Sequence, residues 1–281
     1  MPSINELTRI SAQVRRDIIR MVHGAASGHP GGSLGCADFI TTLFFEIIRP
    51  DVYGFTMDGI GEDLFFLSNG HISPAFYSVL ARYGYFSPEE LRTFRKLNTR
   101  LQGHPSTAEG TPGVRIATGS LGQGLSVSIG AALTKRLNSD SHLVYCLTGD
   151  GELQEGQNWE ALMFGAAHNV DNIIVVIDYN GKQIDGPVEK VLDLGDLPAK
   201  LVSFGWQVLE MNGNEIGEIL SIMKEARNAT GKGRPVAIVM STRMGFGVDF
   251  MLDNHEWHGS PPNDEQAKRA LEQLEETIGD Y

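Results

Sequence analysis

Apolar residues recur with two different periods along this chain, and the exchange of one period for the other is the first structural signal. From Asn5 to Ala26, Leu7, Ile10, Val14, Ile18 and Met21 repeat at helical spacing with charges between them, which predicts an amphipathic helix ending in the glycines of SGHPGGSLG (Ser27 to Gly35). A second helix is expected from about Cys36 to Ile48. Four short runs have the continuous apolar character of strands buried on both faces: DLFFLS (Asp63 to Ser68), LVYCLT (Leu143 to Thr148), IIVVID (Ile173 to Asp178) and PVAIVM (Pro235 to Met240). A fifth run, WQVLEM (Trp206 to Met211), reads as a further strand.

Helical patterns at Pro74 to Tyr83, Gln157 to His168 and about Ile216 to Ala229 separate these strands. That succession predicts an α/β fold, a doubly wound parallel sheet flanked by helices, in which ligands bind beyond the carboxyl ends of the strands. NGH (Asn69 to His71), GDG (Gly149 to Gly151) and YNGK (Tyr179 to Lys182) all occupy that position. Leu91 to Thr118 lacks periodicity, is rich in turn residues and carries GHP, so it reads as an ordered excursion near the same rim. Asp264 to Ile278 predicts an acidic amphipathic helix, and residues 1–281 are taken as a single domain with a C-terminal helical extension over about 262–281.

Charge narrows the partners. A net charge of -12 argues against a nucleic-acid or anionic-membrane surface, because such surfaces need clustered Lys and Arg, and only GKGR (Gly231 to Arg234) is even locally basic. No apolar run in the sequence approaches the ~20 residues of a membrane helix, and the first residues lack a signal-peptide block. Cys36 and Cys146 show neither disulfide nor zinc spacing, which favours a reducing compartment, the cytoplasm.

The chemistry concentrates in TGDGELQEG (Thr148 to Gly156), an acidic loop at the end of an apolar strand, where desolvating a carboxylate is costly. A cation would offset that cost. Asn180 follows Asp150 by thirty residues, across one helix and one strand, so the two loops can meet. Asp150, the Asn180 side-chain oxygen and a backbone carbonyl would be hard oxygen donors suited to Mg²⁺ or Ca²⁺. Taken singly, GDG could be a strand-ending turn and Asn180-Gly181 a hairpin turn. Neither a phosphate-loop lysine motif nor GxGxxG is present.

GDG followed at this spacing by Asn resembles the thiamine diphosphate signature. The further segments SGHPGGSLG at His29, FLSNGH at His71, LQGHP at His104, TGSLGQG (Thr118 to Gly124) and WHGSPP at His258 occur in an order that resembles transketolase over nearly the whole chain. A lone histidine is more often a loop or core residue than a catalyst, and His23, His142 and His168 are left as such. The resemblance implies Asp150, Asn180 and the Lys182 carbonyl as ligands of Mg²⁺ (or Ca²⁺). It implies His71, Gly151, Asn180 and His258 around the diphosphate, and Gly119, Ser120 and Leu121 beside the aminopyrimidine of thiamine diphosphate. His29, His104 and His258 would face the sugar and move protons as a two-carbon ketol group passes from a ketose phosphate to an aldose phosphate. Glu155 and Glu160 match glutamates near a subunit contact and paired cofactors. Ser120 departs from the proline common at that place, and NGKQIDG departs from the usual loop wording, which a backbone ligand tolerates.

Transketolases continue with a second α/β domain carrying the glutamate that activates the pyrimidine. The expectation is therefore a split enzyme: this chain is the N-terminal subunit, its complementary subunit carries the pyrimidine-binding domain, and two copies of each assemble. Three alternatives stand: a split transketolase for a branched or sulfonated ketose, the α subunit of a 2-oxo acid dehydrogenase, and a non-catalytic cofactor-binding module.

Overall fold

The computed structural model describes residues 2–281. Its centre is a five-stranded sheet of β1 (Leu64–Leu67), β2 (Val144–Gly149), β3 (Ile173–Tyr179), β6 (Gln207–Asn212) and β7 (Val236–Ser241), in the order β1-β2-β3-β7-β6 and parallel throughout. Two minimal strands, β4 (Lys182–Gln183) and β5 (Gly186–Pro187), pair antiparallel just beyond β3. The helices are α1 (Ile4–Gly24), α2 (Pro30–Thr42), α3 (Ser73–Tyr83), α4 (Gly124–Leu137), α5 (Gly156–Ala167), α6 (Val188–Leu192), α7 (Leu197–Ser203), α8 (Ile216–Ala229) and α9 (Asp264–Gln273).

The strand residues divide by parity, as a pleated backbone requires. Phe65, Leu67, Tyr145, Leu147, Ile174, Val176, Ile238 and Met240 enter one core with α1, α2, α3 and α8. Leu64, Phe66, Val144, Cys146, Ile173, Val175, Ala237 and Val239 enter the other with α4, α5 and α7. Burial on both faces explains why the strand segments read as unbroken apolar runs.

The boundaries differ from the sequence pattern where packing overrides propensity. The PGGSLG segment is not a loop: α2 begins at Pro30, every residue from Pro30 to Thr42 is buried, and π-helical turns carry it to Ile48. Its glycines let neighbours approach closely. A Cβ on Gly31 would lie 2.7 Å from Met244 Cγ and 2.9 Å from the Trp257 carbonyl oxygen. The stretch Pro30–Ile48 also has the length and hydropathy of a membrane span, contrary to the expectation of no such run, but 78% of it is buried inside the fold.

Two helices carry little sequence signal. In α4 the inward positions Leu125, Ser128, Ile129, Ala132 and Lys135 mix polar with small residues, and α7 has only seven residues. At the carboxyl end, α9 stops at Gln273, short of the expected Ile278. The segment after it folds back on α1, where Arg16 donates to Asp280 and to the carbonyls of Leu271 and Leu274.

Register settles where the loops meet. Gly149 pairs with Asp178 across β2 and β3, so Asp150 and Asn180 emerge side by side at the carboxyl edge of the sheet.

Candidate functional site

Asp150 is 2% exposed, directly after β2. One carboxylate oxygen accepts the Gly151 N–H at 2.7 Å and the other the Gly181 N–H at 2.6 Å, which ties the GDG loop to the Asn-Gly loop. Asn180 donates through Nδ2 to Asp178 at 2.9 Å, so its Oδ1 faces away from that acid and accepts the Lys182 N–H at 2.9 Å. Asp178 is buried as well and accepts from the Thr242 hydroxyl and the Cys36 thiol. Lys182 starts β4, whose pairing with β5 holds the loop over Gly151; a Cβ there would sit 3.3 Å from Gln183 Cβ.

Burial first, then the Asp178 carboxylate, pushes Asp150 up to about 7. The carboxyl holds its proton more tightly for that reason, and a bound cation would offset the cost of its buried charge. Among the described residues no group of three or more His, Cys, Asp or Glu stands in metal-holding geometry. What the rim offers instead is one carboxylate and one amide oxygen, hard donors of the kind that suit Mg²⁺ or Ca²⁺.

Four histidines arrive from four separate segments. His29 precedes α2, His71 lies in the 3₁₀ turn after β1, His104 comes from the long connection between α3 and α4, and His258 follows a 3₁₀ turn in the connection from β7 to α9. Ring centroids of His29 are 5.3 Å from His71, 6.1 Å from His104 and 5.7 Å from His258, and His71 and His258 are 5.0 Å apart. Desolvation, reinforced by neighbouring histidines and Arg95, lowers His29 to about 4. Burial also drives His71 well below its ordinary value and lowers His104 and His258. All four are neutral imidazoles at pH 7, able to donate at one nitrogen and accept at the other.

These groups share one cavity of about 340 Å³ with Gly119, Leu121, Gly151, Glu155 and Ile184. Its wall contains the carboxylates of Asp150, Glu152, Glu155 and Asp178 against the single ammonium of Lys182. An anionic ligand would be repelled unless a divalent cation came with it. The wall also holds unpartnered buried atoms: His29 Nδ1, His258 Nδ1, Asn69 Oδ1 and Gln183 Oε1. Buried polar atoms without partners mark positions suited to a polar ligand. Gly119 shapes the opposite wall; its φ is +128°, and a Cβ there would come within 2.8 Å of His104 Cγ.

Of the residues expected from the sequence, the cavity gathers His29, His71, His104, Gly119, Leu121, Asp150, Gly151, Glu155, Asn180, Lys182 and His258. Ser120 is exposed and stands outside the lining, and Glu160 lies on the exposed side of α5 away from it. His23, His142 and His168 are elsewhere, the first two against Asp264 and Asp140 and the third against Phe164. Sequence spacing assigns no role to Asn69, Glu152, Asp178 or Gln183. The signal available for Asp178 is an acid ending an apolar strand; for Glu152 it is an acid between Gly151 and Leu153, both part of the same tight turn.

A parallel sheet whose rim joins a cation-ready aspartate to an asparagine one strand away, beneath a histidine wall, defines a thiamine diphosphate-binding α/β domain. The chain belongs to the transketolase family: the family described as transketolase, thiamine diphosphate binding domain, matches residues 8–276. It is 36% identical to a subunit of the apulose-4-phosphate transketolase of Phocaeicola vulgatus, with 95% of this chain and 93% of that protein covered. It is 35% identical to the 6-deoxy-6-sulfo-D-fructose transketolase subunit SqwG of a Clostridium species, with 93% and 94% covered. Transketolase from Leishmania mexicana superposes with a TM-score of 0.89 at 29% identity, over 100% of this chain and 42% of that one. The chain thus spans less than half of the solved transketolases it matches and nearly all of the relatives named as subunits.

Proposed function

We propose that this chain is the cofactor-binding subunit of a two-polypeptide transketolase, which moves a two-carbon ketol group between sugar phosphates. The observation that carries the reading is the junction of Asp150, Asn180 and the four-histidine wall in one cavity, on a chain whose length matches relatives named as transketolase subunits.

The residues present suit thiamine diphosphate with Mg²⁺ or Ca²⁺. Asp150, the Asn180 amide oxygen and the Lys182 carbonyl would hold the cation; Gly151, His71 and His258 would grip the diphosphate; Gly119 and Leu121 would seat the pyrimidine side. When bound, the cofactor supplies the nucleophilic carbon and the electron sink for breaking a bond next to a ketose carbonyl. The protein's work is then positional and protonic. His29, His104 and His258, neutral at pH 7, accept or return hydroxyl protons of the sugar. The burial of the His29 and His258 ring nitrogens keeps those protons from exchanging with bulk water. Asn69 and Gln183 offer amide oxygens to donors on the ligand.

A second polypeptide completes this reading. Ile184 on the cavity rim is 64% exposed and Leu192 nearby in sequence is 56% exposed, apolar surface suited to a partner at the mouth. Exposed Val127 on α4 and Met163 and Phe164 on α5 suit a second copy of this chain, giving two of each polypeptide. Both cysteines are unpaired and buried, in keeping with a reducing, cytoplasmic setting. A specialised sugar is the second reading, because relatives matching over nearly their full length are named for apulose 4-phosphate and for a sulfonated fructose.

The test is ketol transfer by the purified chain, by itself and co-expressed with the complementary subunit, using xylulose 5-phosphate, apulose 4-phosphate and 6-deoxy-6-sulfofructose as donors. Turnover is expected only in the reconstituted complex. Robust turnover by this chain without a partner refutes the two-polypeptide reading, and cofactor binding without transfer in any complex leaves a non-catalytic binding module.

A further inference from the structure

Glu152 is unused by the chemistry above, yet it is one of the most constrained side chains in the molecule. It is 2% exposed, and its carboxylate is met by three donors from three different segments. The Ser68 hydroxyl, at the end of β1 and just before Asn69 and His71, donates to Oε1. The Gly122 N–H, directly after Leu121, donates to the same oxygen at 2.9 Å. The Gly149 N–H, at the end of β2 and next to Asp150, donates to Oε2 at 3.2 Å. The Glu152 main chain is itself fixed, since its carbonyl accepts from the fully buried Asn158 side chain at 2.7 Å. No donor is demanded of this side chain, and no neutral residue can accept at both ends in the same way.

We propose that Glu152 is a positioning residue which staples the diphosphate side of the cavity to its pyrimidine side. One anion fixes the separation of the β1 loop, the Gly119–Gly122 loop and the start of the GDG turn. The inference rests on the proposed cofactor reading. Its consequence is specific: a ligand that spans both sides benefits from the fixed separation, and a ligand that touches only the diphosphate side does not.

Glutamine is the sharp probe, because it keeps the shape and replaces one acceptor with a donor. With its amide nitrogen toward Ser68, the hydroxyl can turn to accept, but the Gly122 N–H then has no partner; Gly149 keeps an acceptor. The opposite orientation leaves Gly149 facing an N–H and gives the new donor nothing to bind, so the first is preferred. Glu152→Gln therefore loosens the pyrimidine side selectively.

The measurement is calorimetric titration of the complex reconstituted with the complementary subunit, with thiamine diphosphate plus Mg²⁺ and, separately, with inorganic pyrophosphate plus Mg²⁺. In Glu152→Gln the Kd for thiamine diphosphate should rise about ten-fold or more while that for pyrophosphate stays within about three-fold of wild type. Ser68→Ala, which frees the β1 loop carrying His71 and leaves both backbone arms in place, should raise the Kd for both ligands by a smaller factor. It decides the matter if thermal melting shows Glu152→Gln unfolded. Unchanged thiamine diphosphate affinity in either variant, or an equal loss for both ligands in Glu152→Gln, overturns the staple. Failure of the wild-type complex to bind thiamine diphosphate at all overturns the cofactor reading first, and this inference with it.

Discussion

Asp150 shows how much one side chain can ask of its surroundings. Burial and Asp178 raise its carboxyl to about 7, whereas an unfolded aspartate titrates at about 3.9. Between those values the folded chain holds a proton that the unfolded chain has released, so this group's contribution to stability falls as pH rises across that window. On the proposed reading, a divalent cation takes the place of the proton. Added Mg²⁺ should therefore raise the melting temperature more at pH 8 than at pH 5. Thermal melts at both pH values check this, and equal shifts would contradict it. Asp150→Asn should abolish the difference and weaken cofactor binding by on the order of 100-fold, the scale seen when a metal's immediate surroundings are altered. Of the site's side chains, Asp150, Asn180 and the histidines are legible in the sequence because motif and spacing both point to them. Asp178 and Glu152 are not, since a strand-ending acid and a loop acid look alike until the donors around them are seen.

Among the helices and strands, the connections do the aiming. The turn at Gly119 places backbone against His104 at a φ of +128°, a conformation that a side chain resists. Gly119→Ala should cost about 1–3 kcal/mol in stability and displace the His104 ring, so cofactor affinity should drop as well. Urea unfolding and calorimetric titration of the same variant measure both, and retention of wild-type values for both would show that the turn tolerates a side chain. The difference between pattern and structure in α2 has the same origin. PGGSLG has poor helix propensity, and it is helical because α1, α3 and the segment around Met244 and Trp257 close around it. In α4 a helical repeat exists at Leu125, Ser128, Ile129 and Ala132, and a serine on the inward face hides it from a reading of apolar residues alone.

Over the full length of the chain, the carboxyl end is bound to the amino end. Asp280 accepts from Arg16 at 2.8 and 2.6 Å, from Gln13 at 2.8 Å and from Arg20 at 3.3 Å. The Arg16 hydrogen bonds outweigh burial and hold its carboxyl down at about 2. A depressed carboxyl contributes stability above the unfolded value of about 3.9, and that contribution is lost as pH falls toward the folded one. Because solvent screens this partly exposed pairing, Asp280→Asn should lower stability by about 1 kcal/mol at pH 7, and the gap from wild type should narrow as pH drops below about 4. Denaturant unfolding across that range tests it; a gap that persists unchanged at pH 3 would assign the effect to something other than charge.

The strand–helix alternation, the parallel α/β class, the place of the ligand site at the strand ends, and the family are all written in the order of the residues. Each follows from local periodicity or from a motif in consecutive positions, which need no partner to be recognised. Folding decides the rest: the helical state of PGGSLG, the return of the chain end to α1, and the convergence of three loops on Glu152. Those outcomes depend on contacts between residues far apart in the chain. Burial there removes water as a competing partner, so a buried donor must find its acceptor within the protein, and only the folded chain says which acceptor that is.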